Sequence, residues 1–361
     1  MPVSMTSDGH STGWPLIKQS CACCGLAQHA VALSGADLKR IFASGYALNS
    51  KPPNQYDAAR ARQYAEWIAA QVEGWAPSSI YEIGCGNGAM LTELACRFPH
   101  ARVSGIEPSP TAAELARAQG FAVDIGFFPE DECAHKRYQL IVAVNVIEHT
   151  PDPLAFLQAV KRRLAPDGRL ILIFPDGDRP STELLILDHL HSFTKCAIQQ
   201  LVHRAGLGWV DLAQAHGASG FQILTATHNA DPQAPTLPSD SLHEERRQFL
   251  AHWQELDEHL SHFLGERADL ILFGVGEFSS LLHAYAPCTW RKLRAVTADL
   301  ADHSAFHGLS CIPPRGLPPQ ATLLIGTRLE VQAQIAQRFH AQGLATVYLT
   351  HDYELQCLGV A

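Results

Sequence analysis

The chain has 361 residues, long enough for two or three domains, each with its own core. Its 36 acidic and 27 basic residues give a formal charge of −9, and no cluster of Lys and Arg stands out, so nonspecific nucleic-acid binding is excluded and small metabolites are favoured as partners. No apolar run reaches the roughly 20 residues of a membrane helix, and residues 1–13 are polar without the apolar core of a signal peptide, so no membrane partner and a cytoplasmic location are expected.

Residues 1–55 read as an N-terminal cysteine-containing segment and lid. Cys21-x-x-Cys24-Gly25, with Cys23 inside it, has the form of half a zinc knuckle, two thiolates filling two of four tetrahedral positions. No second pair precedes Cys85, and His10 or His29 would have to complete the site, so zinc is not expected and a locally packed turn is the plainer reading. The other cysteines are scattered singly, several in apolar segments, and reduced thiols are expected. A loop over 45–53 leads into a helix whose apolar positions Ala61, Tyr64, Ala65, Ile68 and Val72 share one face.

Residues 56–228 carry the main α/β pattern. A β-branched and aromatic strand over 79–83 stops in Gly84-Cys85-Gly86-Asn87-Gly88, where the missing Cβ atoms let the backbone bend and a ligand lie against it. Met90, Leu91, Leu94 and Ala95 then recur at helical spacing, so the turn opens a helix with its N-terminus toward that ligand. A second strand over 102–107 ends in Glu107, an acid placed to accept two ribose hydroxyls. A helix over 111–119 stops at Gly120, and a third strand follows over 121–125. The fourth strand, 138–144, is nearly all apolar, as a central parallel strand covered on both faces must be. A helix over 153–164, a turn at 166–168, a fifth strand over 169–174 and an antiparallel pair at 209–212 and 221–226 complete a doubly wound α/β sheet with its ligand at the carboxyl ends of the strands.

Residues 229–267 read as a linker followed by a long helix. Leu242, Phe249, Trp253, Leu256, Leu260 and Phe263 form an apolar seam that suits either a homodimer contact or docking on the chain's own domains. Residues 268–361 repeat an α/β pattern as a smaller Rossmann-like domain, with strands over 269–273, 293–297, 321–325 and 346–349. Phe278 and Ser279 stand where the third glycine of a dinucleotide turn would fall after Gly274 and Gly276, which argues against NAD there.

Three blocks, Glu82 to Gly88, then Gly105-Ile106-Glu107-Pro108-Ser109, then Asn145-Val146-Ile147-Glu148-His149, together resemble the class I S-adenosylmethionine-dependent methyltransferases. The resemblance implies S-adenosylmethionine as cofactor, with Gly84, Gly86 and Gly88 backing its methionine and ribose portion, Glu107 on the ribose hydroxyls and Asn145 beside the sulfonium. It also places Glu82, Cys85, Pro108 and Val146 in the cofactor site, and makes Tyr46 and Tyr56, ahead of the first strand, candidates for the lid. The G-x-G-x-G spacing differs from the G-x-G-x-x-G of dinucleotide oxidoreductases. In layout the chain is similar to sugar C-methyltransferases, which carry a cysteine-rich N-terminal module and a C-terminal Rossmann-like domain that helps form the acceptor side. The missing second cysteine pair departs from that layout. The expected function is methyl transfer to a small-molecule acceptor, with a nucleotide-linked sugar as first candidate. A non-catalytic S-adenosylmethionine-binding protein and a nicotinamide-dependent oxidoreductase are the alternatives.

Methyl transfer from a sulfonium requires a positioned acceptor and the removal of its proton. Glu148 and His149 follow the fourth strand directly; Asp188, His189 and His191 follow the fifth. By resemblance His189 falls on the base histidine of sugar C-methyltransferases and Asp188 on its glutamate, with Ile186 in place of a tyrosine. A histidine titrating near 6.5 takes a proton at neutral pH and a carboxylate fixes its tautomer. His189 is therefore the expected base, supported by Asp188, with His149 as the competing candidate and helix capping near Thr194 as the other role for Asp188. Ubiquinone-pathway O-methyltransferases resemble the Asn145 to His149 block too, and there an upstream glutamate helps hold a metal. Asn145 occupies that place here, so no metal is expected.

Overall fold

The computed structural model describes residues 1–30, 33–45, 51–129, 136–215, 220–228, 234–267, 269–299, 304–350 and 352–359. They fall into two units, one of Ile17–Leu184 and Asp188–Glu245, the other of Met1–Leu16, Leu185–Leu187 and Arg246–Ala361. The first 16 residues thus group with the C-terminal half, whereas their sequence had placed them with the cysteine segment.

The first unit is built on seven strands: β1 (Ser79–Ile83), β2 (Arg102–Glu107), β3 (Ala122–Ile125), β4 (Tyr138–Val144), β5 (Leu164–Pro175), β6 (Gly208–Gln214) and β7 (Phe221–Thr227). Their order is β6-β7-β5-β4-β1-β2-β3, with β1 to β5 parallel and β7 antiparallel to both β5 and β6. The chain winds outward from β1 to β3 and then returns to place β4 on the other side of β1. That reversal opens a crevice at the carboxyl ends of β1 and β4, where open α/β sheets bind ligands.

Side chains of β4 alternate between two cores, as the period of two requires. Ile141 and Ala143 join Tyr81, Ile83, Phe156, Leu157, Leu172 and Phe174 on one face. Leu140 and Val142 join Ile68, Ile80, Met90, Leu94, Ile171 and Ile173 on the other. The fifth strand starts earlier than its sequence suggests. Tyr138 pairs with Leu164 and Leu140 with Arg169, so the Pro166-Asp167-Gly168 stretch is an irregularity inside β5 rather than a separate turn.

Ahead of this sheet, Lys18–Ser20 and Ala27–His29 form an antiparallel hairpin around the cysteines, and His191–Ser192 pairs with Ala27–His29 as a third strand. A short helix, Gly35–Lys39, is capped by Ser34 and runs on as the π-helix Arg40–Gly45. Tyr46 lies outside the described residues.

The second unit has its own seven-stranded sheet, in the order Ala305–Phe306, Leu309–Ile312, Ala295–Thr297, Leu270–Phe273, Thr322–Ile325, Ala345–Leu349, Leu355–Leu358. The Ser279 hydroxyl lies within hydrogen-bond distance of the carbonyls of Gly274 at 2.9 Å and Gly326 at 2.7 Å, which ties the helix Glu277–Tyr285 to the ends of two strands. The apolar seam lies on the helix Leu242–Leu264; Trp253 is 1% exposed and packs edge-on against Phe278 and Tyr285. Its centre is therefore spent on docking within the chain. No described helix is long and apolar enough to cross a membrane.

Candidate active site

A cavity of about 460 Å³ opens at the carboxyl ends of β1, β2 and β4. The turn after β1 takes left-handed backbone angles at Gly84 (φ +74), Gly86 (φ +53) and Gly88 (φ +87), which glycine adopts without strain. Its first two amides, Gly84 and Cys85, donate to the carbonyl of Ile106 at 2.8 and 3.1 Å and so tie the turn to β2. A Cβ on Gly84 would stand 2.7 Å from Cγ2 of Val146, so this wall is also closed by direct packing on the residue after β4.

Of the predicted cofactor residues, Glu82, Gly84, Cys85, Gly86, Glu107, Pro108, Asn145 and Val146 line the cavity. Gly88 does not. A Cβ there would meet Cα of Ala116 at 3.0 Å, so the third glycine serves the close approach of the helix Pro110–Ala118 rather than the ligand.

The charge on this wall comes from two buried acids. Glu107 accepts the amide of Gly86 at 2.8 Å on one carboxylate oxygen and that of Ser109 at 2.9 Å on the other. Burial raises its pKa, and those two amides oppose the rise. Glu82 is 3% exposed and its Oε2 has no hydrogen-bond partner. Burial, and then the charge of Glu107, push its carboxyl well above the ordinary range. Burial likewise raises the Cys85 thiol well above its usual value, which leaves it a packed neutral group rather than a nucleophile.

Asn145 takes φ +53, an unusual conformation for a residue with a side chain. Its Nδ2 donates to the Tyr64 hydroxyl at 3.3 Å, and its Oδ1 is buried without a partner. Two unpartnered acceptors, Glu82 Oε2 and Asn145 Oδ1, thus belong to residues of one cavity wall, which suits a ligand carrying cationic and N–H groups. The remaining walls come from Leu38, Lys39 and Phe42 ahead of the sheet and from Phe127 and Phe128 after β3. Leu38 and Phe42 stand four residues apart, the spacing of one helix face, which is the signal that could have found them. Tyr56 is 59% exposed and does not line the cavity.

On the far side of Asn145 the three predicted catalytic residues come together. His149 lines the cavity beneath Phe42, the two rings 5.2 Å apart edge to face. Its Nδ1 lies 2.8 Å from the Asp188 carbonyl oxygen and 3.5 Å from the Asp188 carboxylate. His189 packs edge-on against His149 at 4.8 Å but is not part of the cavity lining, and its Nδ1 stands 3.9 Å from Glu183 Oε2. Asp188 thus stands beside His149 as well as acting on the charge of the adjacent His189. Asp188 does not cap a helix, because Thr194 caps Lys195–Arg204 itself. Burial lowers the pKa of both histidines, with Asp188 opposing the shift at His149 and the neighbouring His149 adding to it at His189. Glu148 is 1% exposed, both its carboxylate oxygens lack partners, and burial pushes its pKa well up. Ligand atoms of Glu148, His149 and His189 all lie within 4.8 Å of one another, a juxtaposition that the absence of an acid at Asn145 had argued against.

Among the described residues the cysteine turn shows no such convergence with histidine; Cys21, Cys23 and Cys24 form no disulfide, and Gly25 donates to the Cys21 carbonyl at 2.9 Å to close the turn.

Residues 56–225 match the family model described as a methyltransferase domain. The chain is 31% identical over 116 residues to a ubiquinone biosynthesis O-methyltransferase of Actinobacillus pleuropneumoniae serotype 5b (strain L20), covering 29% of this chain and 49% of that protein. It is 32% identical over 135 residues to a trans-aconitate 2-methyltransferase of Methylobacterium radiotolerans, covering 37% and 51%. The chain thus spans about half the length of these two curated relatives. Among solved structures, that of a mitomycin 7-O-methyltransferase aligns over 48% of this chain and 54% of its own, with a TM-score of 0.40 and 21% identity.

Proposed function

Because the chain carries, over residues 56–225, a methyltransferase domain of the class I S-adenosylmethionine-dependent family, we propose that it methylates an oxygen of a small-molecule acceptor. The observation behind this reading is the pair of buried acids at the ends of adjacent strands, Glu107 held by two amides and Glu82 with an open acceptor oxygen. When bound, S-adenosylmethionine supplies an electrophilic methyl group on a sulfonium. Glu107 would accept the ribose hydroxyls, its carboxylate already oriented by Gly86 and Ser109, and Glu82 and Asn145 would offer acceptors to the cationic methionine end. Leu38, Phe42, Phe127 and Phe128 exclude water from the transfer path. His149, the histidine that lines the cavity, sets the acceptor side, and Asp188 fixes its ring.

A second reading, C-methylation of a nucleotide-linked sugar, is supported by the order of a cysteine hairpin, the methyltransferase domain and a second α/β sheet, which resembles that group apart from the missing second cysteine pair. Titration calorimetry with S-adenosylmethionine on wild type and Gly86→Val, followed by an acceptor screen with labelled donor, tests the assignment. Tight NADH binding without donor binding would remove it. A methyl group recovered on carbon rather than oxygen would select the second reading.

A further inference from the structure

Asn145 follows β4 with its amide on the Ile173 carbonyl at 2.8 Å and its backbone at φ +53. Side chains avoid that left-handed region, asparagine less than most, and the residues found there gather where a site must hold a group in place. The two ends of this carboxamide are treated differently. Nδ2 donates to the Tyr64 hydroxyl at 3.3 Å, whereas Oδ1 is buried and accepts no hydrogen bond. Folded proteins seldom leave a buried amide oxygen so, and a functional role is one of the ordinary reasons.

The Tyr64 hydroxyl sits on a fixed arm. Its ring stands on the helix Gln55–Gln71, is 7% exposed, and packs edge-on against Trp67 at 5.4 Å and Phe221 at 5.9 Å. Tyr64 and Asn145 both line the cavity. With its Nδ2 committed to that hydroxyl, the carboxamide has Oδ1 left as the acceptor it can offer a ligand.

A carbonyl oxygen is the negative end of a dipole, and in a buried wall its field is weakly screened. It stabilises a cation beside it and gives little to an uncharged thioether, whose sulfur carries lone pairs of its own. S-adenosylmethionine and the S-adenosylhomocysteine left after transfer share their adenosine and amino-acid groups and differ in one methyl and the charge on sulfur. Whatever Glu107 contributes through the ribose is therefore common to both. A site that read only the shared groups would hold spent and fresh donor alike.

We propose that Tyr64 is a positioning residue that holds the Asn145 carboxamide with its oxygen toward the sulfonium, so that the site prefers the charged donor to its demethylated product. The inference rests on the S-adenosylmethionine-dependent reading of this cavity. It adds to that reading a residue that discriminates between the two forms of the cofactor.

Titration calorimetry on the full-length protein tests it with S-adenosylmethionine, S-adenosylhomocysteine and an analogue carrying an ammonium in place of the sulfonium. Asn145→Gly keeps the left-handed backbone without strain and removes the carboxamide. It should lower the preference for S-adenosylmethionine over S-adenosylhomocysteine by about 10-fold or more, as expected for a polar contact to a charged group, and weaken the ammonium analogue along with the donor. Tyr64→Phe keeps the ring and its packing and should lower the same preference by about 3-fold. Added to Asn145→Gly it should change the preference no further, because it acts through Asn145. Parallel weakening of all three ligands, with the preference unchanged in Tyr64→Phe, would overturn the proposal and leave the pair a structural contact. So would an effect of Tyr64→Phe that persists in Asn145→Gly. Failure of wild type to bind either form of the cofactor would instead remove the methyl-transfer reading itself.

Discussion

His149 Nδ1 sits 2.8 Å from the carbonyl oxygen of Asp188, although the two residues are 39 positions apart in the chain. Asp188 therefore contacts the histidine that lines the cavity, and Glu183 stands 3.9 Å from Nδ1 of the neighbouring His189. His149→Ala is expected to slow turnover by about 10²- to 10⁴-fold while leaving the affinity for S-adenosylhomocysteine near wild type. Asp188→Ala keeps the carbonyl and should cost less, about 10- to 100-fold. Steady-state kinetics with the true acceptor, beside titration calorimetry, checks both; full turnover in His149→Ala would end its assignment to the acceptor side.

Glu107→Ala removes an acceptor from two backbone amides and from the ribose. Donor affinity should fall by about 1.5–3 kcal/mol, the usual worth of hydrogen bonds to a charged group. An unchanged dissociation constant would take the ribose away from Glu107.

Binding of the cationic donor should release protons. Burial and Glu107 hold the Glu82 carboxyl well above its ordinary range, and a positive ligand beside it favours the ionised form. Calorimetry at one pH in buffers of different ionisation enthalpy should therefore report release of up to about one proton, absent in Glu82→Gln. The same shift has a definite sign for folding. The folded state holds the proton to higher pH than the unfolded chain, so stability falls as pH rises from the unfolded value near 4.5 through the folded one. Glu82→Gln should accordingly unfold at higher urea than wild type at pH 7, without ligand.

Gly84→Ala meets both a left-handed backbone angle and the methyl of Val146. It should lose about 1–3 kcal/mol in denaturant unfolding, the cost of holding a side chain in that region.

Trp253→Ala should destabilise the second unit by about 3–5 kcal/mol, since the ring is buried among Phe249, Phe278, Tyr285 and Tyr353. Its sedimentation coefficient should otherwise stay that of wild type, because the seam it belongs to docks within the chain. Dissociation of an oligomer without loss of stability would contradict that assignment.

The cavity wall at the ends of β1 and β2 was legible because its signals are local. A run of β-branched residues broken by Gly84 and Gly86, and an acid closing the next strand at Glu107, need no knowledge of distant contacts. The continuous apolar character of β4 placed it at the sheet centre for the same reason. The histidine cluster depends on which residues meet in space: chain order suggests Asp188 with His189, and only the fold brings His149 to the same residue. Phe127 and Phe128 belong to the connection between β3 and β4, whose sequence has no periodicity, so nothing marked them as wall. Pro166-Asp167-Gly168 has turn chemistry, and only the pairing of Tyr138 with Leu164 reveals that the strand has already begun.

The hairpin Lys18–His29 adds its second strand to His191–Ser192, and Lys18 grips the carbonyl of His189. The two halves of the site are thus moored differently: the donor half to the central strands, the acceptor half to a ribbon from the beginning of the chain. The exposed thiols of Cys21 and Cys23 lie in the turn of that ribbon. The histidines after β4 and β5 and the glycine turn after β1 therefore have separate supports in the fold.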